Sequence, residues 1–279
     1  MRLRALLVLL LWLVSVTASA ATVFRGYPGE VVLIPVKDPR LEARFRGHLF
    51  RPLRLREGLY LPLALPLDTP PGIYTLRAGG LSLTVRVLPK SYPEEHLRLP
   101  PRMVTFPPEI LARVRREIKL LRGTLGRVEG RACRLEDFVL PVSGKISSPF
   151  GLRRILNGEP RSPHRGVDLA VPEGTPVRAA SAGRVILTGD FYLPGRVVLL
   201  GHGCGVYTYY AHLSRILVRK GERVRKGQII ALSGATGRTT GPHLHFGVYL
   251  SGVAVNPVIF IQEVRHLYGR KSGGPASAS

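Results

Sequence analysis

Apolar and polar residues alternate along the first third of the chain in the manner of short β-strands. In residues 81–87 every second side chain is apolar, which is the pattern of a half-buried strand. Residues 30–36 form an almost continuous apolar run, and the turn sequence at 69–72 leads into another apolar segment. We therefore expect residues 22–88 to form a small β-sandwich.

One stretch of the chain has a helical rather than a strand-like period. After Pro107 and Pro108, apolar residues recur at helical spacing, at positions 110, 111, 114, 118 and 121. Gly123 is the expected end of this helix. Prolines and charges dominate residues 89–101. The region 89–137 is therefore predicted to be a linker and one amphipathic helix that packs on a neighbouring domain.

Strand-like segments separated by glycine-rich turns return after Phe138. Residues 218–233 contain two Lys-Gly turns between apolar segments, which predicts a β-hairpin. A second β-domain is therefore expected over residues 138–262, which makes the whole protein mainly β. Low complexity at the end of the chain predicts a flexible tail over residues 263–279.

The first twenty residues have the three parts of a secretory signal peptide. Arg2 and Arg4 form a basic start, residues 5–16 are apolar, and Ala18 to Ala20 form a cleavage site of small residues. We expect cleavage after Ala20 and export to a periplasm, the cell envelope or the cell exterior. An uncleaved anchor is the disfavoured alternative, because the apolar run is shorter than the roughly 20 residues that a membrane span needs.

The chain is strongly basic. It has 41 lysine and arginine residues against 18 aspartate and glutamate residues, a formal net charge of +23 at pH 7. Such a charge favours polyanions, which for an exported protein are anionic cell-wall polymers or the lipid head groups of a membrane surface. Nucleic acid is not an expected partner, because the sequence contains no nucleic-acid-binding motif. The oligomeric state stays open.

Two cysteines, Cys133 and Cys204, are present. In an oxidising compartment such a pair can form one disulfide, and the sequence leaves this open. Neither cysteine lies in a C-x-x-C motif, so a cysteine zinc site is not expected.

Two histidines one residue apart are the first indication of chemistry. His243 and His245 follow a turn and precede an apolar run. On a β-strand, residues two apart point to the same face, so both histidines are expected on one side and Leu244 and Phe246 on the other. A core strand has no need of that arrangement, whereas a metal or catalytic site does.

A second cluster pairs His164 with Asp168, four residues later. Gly166 argues against a helix here, and in an extended chain a separation of four again places both side chains on one face. Together with one histidine of the first pair they make a set of two histidines and one carboxylate. That composition suits zinc and leaves one coordination position for water.

Four runs of the chain together resemble one known family. SSPFGLRR, PHRGVDLAVPEGTPV, YYAHLS and GATGRTTGPHLHFGV, within about residues 138–258, are similar to the lysostaphin-type (LytM family) zinc metalloendopeptidases, metallopeptidase family twenty-three. The region before them resembles, more loosely, the non-catalytic N-terminal part of exported members. The resemblance implies a mainly antiparallel β-sheet with a zinc groove and hydrolysis of peptide cross-links in bacterial peptidoglycan.

The resemblance also implies a role for each site residue. His164, Asp168 and His245 match the ligands of one Zn²⁺ per chain, and His243 and His212 match catalytic histidines. Histidine has an unperturbed pKa near 6.5 and can both accept and return a proton at neutral pH. Which of the two histidines acts as base stays open. Some family members carry a tyrosine shortly before the first ligand, and residues 156–163 have none.

Three rival interpretations remain beside the peptidase. The chain could be a catalytically silent, wall-binding activator of other hydrolases, although such relatives usually lose zinc ligands that are present here. It could be a metalloprotease of a protein substrate, or a basic surface protein with incidental histidines. His202 is expected to be structural, and His48 and His266 are expected at the surface.

Overall fold

The computed structural model describes residues 22–98 and 106–269, and it confirms a mainly β protein. The predicted signal peptide lies outside these residues. Within them, no helix is long and apolar enough to cross a membrane.

Eight short strands build the N-terminal domain. They are β1 (Val23–Gly26), β2 (Val31–Val36), β3 (Ala43–Phe45), β4 (His48–Phe50), β5 (Leu53–Leu55), β6 (Gly58–Ala64), β7 (Gly72–Ala78) and β8 (Leu81–Val87). One sheet has the order β1-β8-β7-β3-β4, and we call it the N-terminal sheet. A second contains β5, β6 and β2 in that order. Side chains such as Ile34, Leu61 and Val85 are fully buried, so apolar residues of both sheets share one core.

The predicted linker is partly structured. Residues 94–97 form β9 (Glu94–Leu97), which pairs in parallel with a strand of the second domain, and Arg153 and Arg154 of that strand form ion pairs with Glu94 and Glu95. The expectation of a plain linker is therefore wrong at this point. The proline-rich, charged composition predicted irregular structure here, but backbone pairing with the second domain stabilises a strand.

The predicted helix is present as α1 (Pro108–Leu125), but Gly123 does not end it. The helix continues because Thr124 and Leu125 bury their side chains one step further on. Gly126 then closes it, and its N–H donates to the carbonyl oxygen of Arg122. Of the predicted apolar stripe, Val114 is buried, whereas Ile118 is 38% exposed, so the stripe is only partly covered.

The second domain is built mainly from antiparallel strands. β10 (Cys133–Arg134) precedes it and pairs in parallel with β5. The strands of the second domain are β11 (Lys145–Ser148), β12 (Arg153–Leu156), β13 (Glu159–Pro160), β14 (Val167–Ala170), β15 (Pro176–Arg178), β16 (Gly183–Phe191), β17 (Gly195–Gly203), β18 (Val206–Ile216), β19 (Arg223–Val224), β20 (Ile229–Ser233), β21 (Leu244–Leu250) and β22 (Val253–Val255). The main path of a ten-stranded sheet is β11-β14-β21-β18-β17-β16-β19. Every strand pair in this sheet is antiparallel.

The predicted hairpin at residues 218–233 is wrong. β19 pairs with β16, whereas β20 pairs with β15 and β18. The Lys-Gly turns are real, since Gly221 and Gly227 both have positive φ. The partners of β19 and β20 are therefore determined by contacts with strands far away in the chain and not by the local turns.

A second helix, α2 (Pro257–Gly269), corrects the end of the predicted domain. Residues 263–269 are helical rather than a tail, and residues 270–279 lie outside the described part. The side-chain oxygen of Asn256 accepts hydrogen bonds from the N–H groups of Val258 and Ile259, at 3.1 and 3.4 Å, and Phe260 and Val264 are buried. The Asn-Pro start was a readable helix signal that the sequence analysis missed.

Several contacts join the domains, among them a disulfide and a hydrogen bond of His48. Cys133 and Cys204 form a disulfide, which answers the question that the sequence left open. Cys133 lies in β10, which pairs with β5 of the N-terminal domain. His48, expected at the surface, instead lies at this junction, where its Nδ1 is 2.8 Å from the carbonyl oxygen of Ser251.

Candidate functional site

Adjacent strands of the ten-stranded sheet place a carboxylate opposite a histidine. β14 pairs with β21 so that Asp168 stands directly opposite His245. Leu244 and Phe246 are fully buried on the other face of β21, as the alternation predicts. His243, one residue before β21, forms an isolated bridge with Gly234 and lies on the same side as His245.

His164 reaches the same point from the loop that precedes β14. Its backbone N–H donates to the carbonyl oxygen of Leu152 at 2.9 Å, which holds this part of the loop against the neighbouring segment. Gly166 is required between His164 and the strand. A Cβ there would lie 2.5 Å from the carbonyl oxygen of Phe246 and 2.7–2.8 Å from ring atoms of His245.

Three ligand-type atoms of these residues converge. His164 Nε2 lies 3.0 Å from Asp168 Oδ1 and 3.0 Å from His245 Nδ1, and the last two atoms are 2.9 Å apart. The three side chains are only 9, 12 and 15% exposed. They form a small triangle that is largely shielded from water.

The pKa shifts of Asp168 and His245 favour forms of these side chains that can bind a cation. Burial alone would raise the pKa of Asp168, but the hydrogen bonds and charges of His164 and His245 outweigh it and hold that pKa well below its usual range. Burial lowers the pKa of His245. The ionised form of the Asp168 carboxyl is therefore favoured near pH 7.

A backbone acceptor orients the ring of His164. His164 Nδ1 lies 2.9 Å from the carbonyl oxygen of Pro149 and donates its N–H there. The lone pair of Nε2 then points toward Asp168 and His245. This is the arrangement of histidines that bind metals in proteins, where the second ring nitrogen is held by an outer hydrogen bond.

His212 joins the site through a break in the regular alternation of β18. In that strand Ala211 faces His245 across the β18–β21 pair, and Tyr210 packs into the core against Phe246. Regular alternation would turn His212 to the core side, with Tyr210. Instead His212 has φ of 61°, in the left-handed region, where β18 changes partner from β21 to β20. This bulge turns its ring toward the site.

His212 and His243 form a second pair beside the triangle. Their ring centroids lie 4.6 Å apart, and His243 Nε2 is 3.8 Å from Asp168 Oδ1. His212 Nδ1 donates to the carbonyl oxygen of Thr236 at 2.8 Å, and His243 Nδ1 donates to that of Gly241 at 2.9 Å. Both Nδ1 atoms are thereby occupied, which leaves each Nε2 to face a reacting group.

Burial lowers the pKa of His212 to about 4. The backbone acceptor at Thr236 opposes this, and the neighbouring histidines add to it. His212 is therefore neutral near pH 7, and its Nε2 carries an unprotonated lone pair. The structure thus brings together all five residues that the sequence singled out.

The comparisons with known proteins agree with this geometry. A family model described as "Peptidase family M23" matches residues 162–257. The crystal structure of a Pseudomonas aeruginosa chain assigned to peptidase M23 is 32% identical, with a TM-score of 0.68 over 84% of this chain and 94% of that one. The chain belongs to peptidase family M23.

Curated relatives of this M23 chain match less than half of its length. Peptidoglycan DD-endopeptidase ShyA of Vibrio cholerae is 47% identical over 119 residues, 42% of this chain and 28% of that protein. DD-carboxypeptidase/endopeptidase Mpg of Neisseria meningitidis is 45% identical over 117 residues, 42% of this chain and 27% of that protein. The M23 chain thus aligns with less than a third of the length of these relatives.

The donor set of the M23 chain fits a metal ion. In a tetrahedral zinc site with bonds of roughly 2.0–2.1 Å, ligand atoms lie roughly 3.3–3.4 Å apart. The three atoms are 2.9–3.0 Å apart, so a shift of a few tenths of an ångström would suit such an ion. Two imidazole nitrogens and one carboxylate oxygen also match the borderline character of zinc.

Sequence reasoning missed the loop that supports the pair formed by His212 and His243. Thr236 supplies the acceptor for His212, and Thr239 Oγ1 lies 3.2 Å from His243 Nδ1. Between them, Gly237 has positive φ, and a Cβ there would lie 2.2 Å from the nitrogen of Gly195. The stretch GATGRTTG stands directly before the two histidines, and that position was a usable signal of a supporting role.

His202 plays no part in this site. Its ring is buried, with Nδ1 2.7 Å from the carbonyl oxygen of Ala182 and Nε2 2.8 Å from Thr208 Oγ1. Burial lowers its pKa to about 4. These contacts support the structural role that the sequence analysis expected.

Proposed function

We propose that this M23 chain is a zinc-dependent endopeptidase that hydrolyses peptide cross-links of bacterial peptidoglycan. The observation that carries the proposal is the convergence of His164, Asp168 and His245 within 3.0 Å of one another, beside a second pair of oriented histidines. The relatives named peptidoglycan DD-endopeptidase and DD-carboxypeptidase/endopeptidase support the choice of substrate.

The metal would be held by Nε2 of His164, Oδ1 of Asp168 and Nδ1 of His245. A bound zinc ion polarises a scissile carbonyl and lowers the pKa of a coordinated water toward about 7. The remaining chemistry falls to this chain's own side chains. The Nε2 atoms of His212 and His243 divide proton acceptance and hydrogen bonding to the developing oxyanion between them.

Export belongs to the same proposal. The first twenty residues have the pattern of a signal peptide, and the Cys133–Cys204 disulfide is typical of an oxidising compartment. Peptidoglycan lies outside the cytoplasmic membrane, so an enzyme that hydrolyses it has to be exported. The periplasm or the cell envelope is therefore the proposed location.

Mass spectrometry of fragments released from purified peptidoglycan tests the function. The zinc-loaded chain without residues 1–20 should release soluble muropeptides with new peptide ends, and Asp168→Ala should release none. The identity of the new ends names the hydrolysed bond. If the chain binds one zinc ion but releases no fragment, the proposed endopeptidase activity is contradicted and a catalytically silent activator is favoured.

A further inference from the structure

The outer face of the N-terminal sheet carries an unusual set of arginines. Arg25, Arg44, Arg77 and Arg86 lie on four adjacent strands, β1, β3, β7 and β8, and all four are exposed. They alternate with buried neighbours such as Val85 and Leu76 that enter the core. We call these four residues the arginine face.

The strand register places these arginines in pairs. Arg25 of β1 stands directly opposite Arg86 of β8. Ala43 of β3 stands opposite Ala78 of β7. Arg44 and Arg77 are the residues next to this pair on the two strands, so antiparallel geometry brings them side by side on the outer face. Like charges directly opposite each other destabilise a sheet, so two such pairs on one face call for an explanation.

No carboxylate offsets these charges. Among the described residues, none of the four arginines forms an ion pair, whereas Arg46 and Arg51 of the same domain pair with Asp68 and Glu42. Between the two pairs the face carries the hydroxyl side chains of Ser82, Thr84 and Thr75. The arginine face is therefore positive throughout and has hydrogen-bonding groups at its centre.

The spacing suits an extended ligand. Arg77 and Ile73 are four residues apart on β7, and Ile73 stands opposite Arg86. At roughly 3.3 Å per residue, the two arginine pairs lie about 13 Å apart along the strands. A small anion can occupy one pair, whereas only a polymer or a surface with repeated charges engages both.

We propose that the arginine face binds an extended, phosphate-bearing polyanion. Each arginine pair would hold one phosphate group, because the guanidinium fork matches phosphate oxygens in a bidentate manner. A polymer is favoured over a bilayer because the exposed apolar residues here, Ile73 and Val23, lie on β-strands. Interfacial membrane binding usually presents an amphipathic helix. This proposal does not depend on the peptidase site.

Binding of long-chain inorganic polyphosphate to the full chain, measured by calorimetry at several salt concentrations, tests the proposal. The variant R25Q/R44Q/R77Q/R86Q should bind roughly tenfold more weakly, with a shallower dependence on salt. A matched control, R219Q/K220Q/R223Q/R225Q, removes the same charge from exposed positions of the second domain and should keep most of the affinity. The face variant should also melt at the same or a higher temperature, since it relieves like-charge pairs.

Three results would overturn the proposal. Equal weakening in both variants would mean that overall charge, rather than the arginine face, holds the polymer. Failure of the parent chain to bind polyphosphate would remove the site. Binding to vesicles of anionic phospholipid through the four arginines, without binding to polyphosphate, would assign the face to a membrane surface instead. Peptide release from peptidoglycan is measured separately and does not bear on these outcomes.

Discussion

The N-terminal sheet and the ten-stranded sheet both present polar side chains on one face, but they arrange them differently. On the N-terminal sheet, Arg25, Arg86 and Thr84 follow regular alternation, stay exposed or half-buried and spread over the surface. On the ten-stranded sheet, polar side chains converge on one point, and His212 reaches it through a left-handed φ of 61°. Regular alternation spreads charged side chains over a face. The compact site instead depends on polar residues that stand opposite each other on neighbouring strands, and on one break in the alternation of β18.

The largest expected effect on the convergent site comes from removal of the Asp168 carboxylate. Asp168→Ala should abolish stoichiometric zinc binding and lower peptidoglycan hydrolysis by about 10³-fold or more, because the ion's several kcal/mol of transition-state stabilisation are lost. Metal content and turnover should fall together. Asp38→Ala in the N-terminal domain, where the side chain is exposed, is the matched control and should change neither quantity. Normal turnover by the metal-free Asp168→Ala protein would refute the metal site.

Removing either histidine of the second pair should separate metal binding from turnover. His212→Ala and His243→Ala should each retain zinc and lose about 10²- to 10⁴-fold in turnover, the usual contribution of a positioned acid or base. Both residues lie beside the triangle without completing it. His48→Ala, at the domain junction, should leave turnover unchanged. Full activity in one variant of the pair would remove that histidine from the mechanism.

The buried His202 should make the second domain sensitive to acid. Its pKa is about 4 in the folded chain and near 6.5 when unfolded, so the unfolded chain binds a proton that the folded chain does not. The free energy of unfolding should therefore fall as the pH drops from about 6.5 to about 4, by up to about 3 kcal/mol.

Urea unfolding at several pH values checks this effect. His202→Gln should have a flatter profile than its parent over that range, with both chains carrying Asp168→Ala so that the metal ligands contribute no zinc-linked change. Identical slopes in the two chains would show that other groups cause the acid sensitivity.

The smallest effect concerns α1, between the two domains. Gly123 is helical, and a Cβ at this position would meet no atom within 4 Å. Gly123→Ala should stabilise the chain by about 0.5–1 kcal/mol, because alanine loses less backbone entropy in a helix. The contrasting change Gly166→Ala should destabilise it, since the new methyl group would collide with His245 and Phe246. Thermal melting should show a higher melting temperature for Gly123→Ala and a lower one for Gly166→Ala. A higher melting temperature for Gly166→Ala would contradict the packing argument.

Local patterns predicted much of the fold and the site. The period-two alternation of residues 81–87 and the helical period after Pro108 predicted β8 and α1, because each depends on which face of one element is buried. The same logic placed His243 and His245 on one face. The error at Gly123 arose because buried side chains beyond the expected end extended α1, and the error at residues 263–269 arose because the helix that begins at Pro257 was not predicted.

The sequence by itself determined which side chains share a face, since that follows from the geometry of a single strand. Tertiary structure decided which strands are neighbours, because pairing depends on contacts between residues far apart in the chain. It set Asp168 opposite His245, added β9 to the second domain and joined Cys133 to Cys204. It also turned His212 away from the core, because the bulge forms only where β18 exchanges β21 for β20.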